Sequence, residues 1–145
     1  MIKLDDLWIM CRITKTYEDD GWIQYEYLFG ETDDRESGCI KFKKDILHFY
    51  MKKFVKRIDL LDMITDKDFI IIKECNNELL NVDGIDYGIL VTLLLIYQNF
   101  EEQGKFPNEV QSVNMRGIDA IYGSDSSLYK DISAILEEET KKKLS

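Results

Sequence analysis

The side chains that most often carry catalysis are scarce in this chain. It has one histidine, His48, and three cysteines, Cys11, Cys39 and Cys75. Histidine is the usual general base near neutral pH, but His48 lies between Leu47 and Phe49 in a segment with helical apolar spacing, which is typical of a structural histidine. The cysteines have no other histidine that could activate them as nucleophiles. We therefore predict that the chain is not an enzyme.

Ligand spacings for metal ions are also missing. The chain has no pair of histidines and no C-x-x-C pair, which zinc sites use. Segment 31–38 is rich in oxygen ligands, but Arg35 and Glu36 stand where a calcium loop needs an oxygen ligand and a glycine. No glycine-rich phosphate loop is present. We expect no metal, no cofactor, and free buried thiols as in a reducing compartment.

The overall charge favours a basic protein as partner. The 145 residues include 28 acidic and 19 basic side chains, for a net charge of −9 and a pI of about 4.6. Such a chain is repelled by nucleic acids and by anionic membranes. A 45% apolar composition with 17 aromatic residues predicts an ordered core rather than disorder. The length predicts one globular domain over residues 1–145.

The sequence predicts neither a signal peptide nor a membrane span. Asp5 and Asp6 stand where a signal peptide would have its apolar region. The longest uncharged run, Tyr87 to Phe100, has 14 residues, whereas a spanning helix needs ~20. We expect a cytoplasmic protein with a buried apolar helix at this run.

Charges of opposite sign are segregated into two neighbouring blocks. Residues 17–38 carry eight acids and one base, and residues 41–57 carry seven bases and one acid. The blocks either neutralise each other across the fold, or the acidic block forms a docking surface in which aromatic residues anchor a basic partner and carboxylates steer it. A lower-ranked alternative is that the basic block contacts an RNA or an acidic partner. The residues predicted to bind a partner are Glu18, Asp19, Asp20, Trp22, Tyr27, Asp33, Asp34 and Glu36.

An antiparallel meander is predicted in the first third of the chain. Residues Leu7–Tyr17, Trp22–Phe29 and Cys39–Lys43 alternate in polarity and are rich in β-branched and aromatic types. The Asp20-Gly21 step between the first two segments predicts a hairpin, because glycine tolerates positive φ.

Two further elements are expected in the middle of the chain. Apolar residues recur every three to four positions over Ile46–Leu61, which predicts one helix with Asp45 as its N-cap. The apolar run Phe69–Ile72 is consistent with a buried strand, although its length alone does not exclude a helix.

Two helices are expected in the last part. Residues Asp83–Gln103 are predicted to form a helix that is capped by Asp83 and ended by Gly104. Apolar residues occupy nearly every face of this helix, so we expect it to be the central buried helix. Residues 127–144 predict a helix whose solvated end carries three glutamate–lysine pairs spaced four apart. The predicted class is α+β, with an N-terminal antiparallel β-meander packed against about three helices.

The chain resembles a bacterial immunity protein of a polymorphic or contact-dependent growth-inhibition toxin system. The resemblance lies in the strands at 22–27 and 38–42, the acidic loop between them, and the apolar helix that leads into Gly104-Lys105-Phe106-Pro107. It implies a non-catalytic inhibitor that covers the active site, or a neighbouring surface, of a cognate toxin domain, often a basic nuclease. It also implies a monomer when free.

Two alternatives stay open from the sequence. A small acidic secretion chaperone or adaptor is similar in size and pI, and would dimerise through an apolar helix or strand. An enzyme with a carboxylate site that has no sequence signature is the third interpretation.

Overall fold

The fold is built around a five-stranded antiparallel sheet. The computed structural model describes residues 11–29, 37–51, 57–75 and 80–111, together with 134–135, 138–139 and 141–142. The strand order is β4-β3-β2-β1-β7. These strands are β1 (Arg12–Glu18), β2 (Trp22–Leu28), β3 (Gly38–Lys43), β4 (Phe69–Lys73) and β7 (Glu109–Gln111). A separate two-stranded hairpin consists of β5 (Asn81–Val82) and β6 (Ile85–Asp86).

The predicted meander is confirmed by β1, β2 and β3. Along β2 the side chains of Ile23, Tyr25 and Tyr27 are fully buried, whereas those between them are partly or fully exposed. This alternation places one face of the sheet against the helices and leaves the side chains of the other face partly or fully exposed. The predicted start of the first strand, residues 7–10, lies outside the described residues.

The first hairpin closes without the positive φ that the sequence suggested for Gly21. Among the described residues only Asp83, Gly84 and Gly104 have positive φ. The Asp19 carboxylate closes the turn instead, since its Oδ1 accepts hydrogen bonds from the backbone N–H of Gly21 at 2.9 Å and of Trp22 at 2.7 Å. An Asx-type turn of this kind tolerates ordinary backbone angles.

Strand β4 exists as predicted, but it is not buried. Only Phe69 is in the core, whereas Ile70, Ile71 and Ile72 are 45%, 37% and 51% exposed. The reason is position, because β4 is the outermost strand of the sheet on its side. A four-residue apolar run gives no indication of whether its strand is central or at an edge.

Described helical residues follow β3 in two stretches, in the segment where the helix Ile46–Leu61 was predicted. Helix α1 is Lys44–Met51 and helix α2 is Arg57–Ile64, and residues 52–56 between them lie outside the described residues. Asp45 lies in the first turn of α1 and is not its N-cap. An acidic side chain there still interacts favourably with the helix dipole.

Helix α3 (Tyr87–Gln103) is the central apolar helix that was predicted. Its buried residues run without interruption from Tyr87 to Gln98. The N-cap is Asp86 rather than Asp83, since the Asp86 side chain accepts from the backbone N–H of Gly88. Asp83 and Gly84 have φ of 53° and 81° and form the turn between β5 and β6, as primed hairpin turns require. Gly104 ends the helix in the left-handed conformation, as expected.

These helices and the inner face of the sheet share one hydrophobic cluster, which confirms the α+β class. Of the predicted 127–144 helix, residues 134–135, 138–139 and 141–142 are described and are helical. Lys142 pairs with Glu139, three residues before it, at 3.5 Å. No helix in the described part of the chain is long and apolar enough to cross a membrane.

Candidate functional site

The predicted anchor Tyr27 is a core residue, so its assignment to a partner surface is wrong. Its side chain is fully buried, and its hydroxyl donates a hydrogen bond to the Asp86 carboxylate at 2.5 Å. In β2 the residues at odd positions from 23 to 27 face the core. Tyr27 therefore supports the fold and is not available to a partner.

Glu18 lies at the end of β1 and forms two ion pairs. Its carboxylate is 2.6 Å from the amine of Lys15 and 2.6 Å from the amine of Lys44, the first residue of α1. Hydrogen bonds from these two amines lower the pKa of Glu18. The contact with Lys44 connects the acidic block to the basic block, as the neutralisation hypothesis predicts, and fixes the hairpin against α1.

Asp19 is exposed but organised by its own hairpin. The hydroxyl of Tyr17 donates to Asp19 Oδ2 at 2.6 Å, and two backbone N–H groups donate to Oδ1. These hydrogen bonds, that of Tyr17 first, lower the pKa of Asp19 to about 2. Asp20 follows at the tip and is exposed. We call Glu18, Asp19 and Asp20 the acidic tip; the carboxylates of Glu18 and Asp19 are held in place by ion pairs and hydrogen bonds.

Trp22 lies half-buried on the outer face of the sheet and faces lysines. The amines of Lys41 and Lys43 are 5.7 Å and 5.9 Å from its ring centre, and Lys41 is also 4.7 Å from the ring of Tyr17. These are cation–π distances. Part of the basic block therefore covers the aromatic residues of the hairpin. The other predicted site residues, Asp33, Asp34 and Glu36, lie outside the described residues.

A groove of about 420 Å³ lies between α1 and the C-terminal part of α3. It was not predicted from the sequence. Lys44, His48 and Phe49 line it from α1, Tyr97 and Phe100 line it from α3, and Phe106 lines it from the segment after α3. Contrary to the expectation of a structural histidine, His48 is exposed at this groove.

Aromatic rings form most of the groove wall. The ring centres of Phe100 and Phe106 are 4.9 Å apart, and those of Tyr97 and Phe100 are 6.4 Å apart. Phe49 packs edge-on against Tyr50 at 5.1 Å and is still 75% exposed. Burial, together with the neighbouring Glu101 carboxylate, raises the pKa of Tyr97 to about 12, so its hydroxyl stays neutral.

The groove and the acidic tip are adjacent. The backbone N–H of Lys44 donates to the carbonyl of Gly21 at 3.0 Å, and the Lys44 side chain pairs with Glu18. Lys44 is itself a lining residue of the groove. The hairpin tip and the first turn of α1 are therefore held together as one surface.

The sequence contained a partial signal for this groove. Phe100 and Phe106 flank the left-handed Gly104, which reverses the chain and brings the two rings together. The contribution of α1 depends on how that helix packs on α3, which periodicity does not encode.

No cluster of three or more histidine, cysteine or carboxylate side chains that could hold a metal ion occurs within the described ranges. Comparisons of the chain with protein-family models, with curated proteins and with solved structures gave no match.

Proposed function

We propose that this chain is a non-catalytic immunity protein that binds and neutralises a cognate toxin domain of basic, nuclease-like character. In this proposal it acts in the cytoplasm, is a monomer when free, and needs no cofactor or nucleic acid. The observation that carries the proposal is the acidic tip: three consecutive exposed acids on a hairpin that is fixed to α1.

Fixed carboxylates on a chain of net charge −9 suit recognition of a cationic surface. Long-range attraction increases association rates, and a rigid tip loses little conformational entropy on binding. Salt weakens this attraction, because the Debye length falls from ~10 Å at 0.1 M to ~3 Å at 1 M. The proposal therefore predicts fast association that slows as salt is added.

The environments of the thiols support a role without covalent catalysis. Cys11 and Cys75 are buried. Burial also raises the pKa of Cys39, which keeps its thiol protonated. A reactive cysteine needs the opposite environment, with a lowered pKa and access to solvent.

The test uses the protein encoded by the gene next to that of this chain as the candidate toxin domain, with kinetics measured by surface plasmon resonance. Asp20→Lys should slow association at least threefold at low salt and leave dissociation unchanged. Asp62→Lys is the matched control, because Asp62 is an exposed acid on α2 and the change in net charge is the same. Equal effects of the two variants would remove the acidic tip from the mechanism. No binding by the unmodified chain would overturn the proposed function.

A small acidic dimeric secretion chaperone or adaptor is the second candidate. It is favoured by the exposed isoleucines of β4, since an apolar edge strand is a template for pairing with another chain. Light scattering separates the candidates. A dimer that Ile71→Lys converts to a monomer would favour the adaptor, and a monomeric unmodified chain would favour the immunity protein.

A further inference from the structure

The groove between α1 and α3 exposes more aromatic surface than the fold requires. Phe49 is 75% exposed, the largest exposed fraction among the large apolar side chains of the described residues. It stands at the edge of a cavity whose wall already contains the rings of Phe100 and Phe106. Exposed aromatic side chains beside a preformed cavity are typical of binding sites, because filling the cavity removes apolar surface from water.

We infer that this groove is an anchor pocket for one large apolar side chain of a polypeptide partner, with cationic residues on either side of that side chain. The inference rests on the proposed function for the identity of the partner. It adds a place for an apolar anchor apart from the hairpin, where Tyr27 is fully buried.

The carboxylates around the groove favour basic residues on either side of the partner's apolar side chain. Asp45 is exposed and lines the groove, and Glu101 lies beside Tyr97 at its α3 side. The one lysine in the lining, Lys44, is already paired with Glu18. A partner segment with lysine or arginine next to its apolar residue therefore meets the carboxylates of Asp45 and Glu101 at the rim.

The acidic tip and the groove are adjacent, and each controls a different rate constant of binding. Exposed carboxylates at the tip act at long range and set the association rate. A buried apolar contact acts at short range and sets the dissociation rate. Substitutions in the two places should therefore change different rate constants.

Phe49→Ala is the decisive variant, because an exposed side chain can be truncated with little effect on folding. With the same toxin domain, it should dissociate at least tenfold faster than the unmodified chain and associate at the same rate. Thr65→Ala is the control, since Thr65 is exposed just after α2 and does not line the groove. It should leave both rates unchanged.

His48 provides a local readout of occupancy. As the only histidine in the chain, it gives a single set of imidazole signals in NMR, and it lines the groove. The probe is a synthetic nonapeptide with a central phenylalanine and two lysines on each side. It should shift the His48 signals, whereas the same peptide with central alanine, or with glutamates for lysines, should shift them at least fivefold less at equal concentration.

The outcomes separate this inference from the proposed function. If the toxin domain binds but Phe49→Ala dissociates like the unmodified chain, the anchor pocket is wrong and the proposed function stands. If the toxin domain does not bind but the phenylalanine peptide shifts His48 selectively, the proposed function is wrong and the pocket stands. Equal shifts with all three peptides would overturn the pocket.

Discussion

Tyr27 and Asp86 are 59 positions apart in the chain, and their side chains meet in the core through a 2.5 Å hydrogen bond. Asp86 also accepts hydrogen bonds from the backbone N–H of Cys75 at 3.1 Å and of Gly88 at 2.8 Å. One buried carboxylate thus connects strand β2, the segment after β4 and the start of α3. The three donors offset part of the cost of burying the carboxylate, and its hydrogen bonds fix the start of the central helix against β2.

The variant Tyr27→Phe tests the hydrogen bond between Tyr27 and Asp86, because the cost of losing this bond should depend on pH. Burial raises the pKa of Asp86 above its unfolded value, so stability decreases as pH rises through the interval between the two values. The Tyr27 hydroxyl opposes this by stabilising the ionised form. Tyr27→Phe should therefore cost about 2 kcal/mol in free energy of unfolding at pH 7 and clearly less at pH 3, which lies below the ordinary value of 3.8 and so below the raised pKa of Asp86. Urea unfolding at the two pH values measures the difference, and an equal cost at both would contradict it.

Gly38 should tolerate no side chain, because it lies opposite Tyr27 in the β2–β3 pairing. A Cβ at Gly38 would overlap the Tyr27 ring and its hydroxyl oxygen. We expect Gly38→Ala to cost ~3 kcal/mol or to prevent folding. Gly21→Ala is the control, since a Cβ there has nothing within 4 Å. Its free energy of unfolding, measured by thermal unfolding, should change by less than ~0.5 kcal/mol. Similar effects of both variants would show that Gly38 matters only as a strand glycine.

Leu94 tests the role of α3 as the central helix. Its side chain is fully buried in the hydrophobic cluster. Leu94→Ala should cost ~2–5 kcal/mol, from lost burial and the remaining cavity, out of a typical total of ~5–15 kcal/mol. A cost below ~1 kcal/mol in urea unfolding would place α3 at the periphery.

The Asp19 carboxyl should titrate near pH 2. Its folded pKa lies below its unfolded value, so its contribution to stability is present above the unfolded pKa and is lost as pH falls through about 2. Tyr17→Phe removes the largest cause and should move the pKa back towards its ordinary value. Carbon-detected NMR titration of the carboxyl groups measures both, and an ordinary pKa in the unmodified chain would contradict the hairpin geometry.

Local patterns in the sequence were sufficient to predict the strands and helices that depend on residues close together in the chain. The alternation over Trp22–Leu28 predicted a strand, and the apolar run with its terminal Gly104 predicted a buried helix with the correct C-terminus. The same alternation places Trp22 and Tyr27 on opposite faces of the strand. The two residues could therefore have been predicted not to share one partner surface. The cap of α3 was placed three residues early, because an Asp-Gly step suits a hairpin turn as well as a helix start.

Tertiary structure alone decided which surfaces are exposed. The same apolar run in β4 would be buried in a central strand, and its isoleucines are exposed because no described strand lies beyond β4. The groove likewise exists because Phe49 on α1, Phe100 on α3 and Phe106 after Gly104 converge from three segments. Periodicity determines the face of an element on which a residue lies. Packing between elements far apart in the chain determines what that face meets.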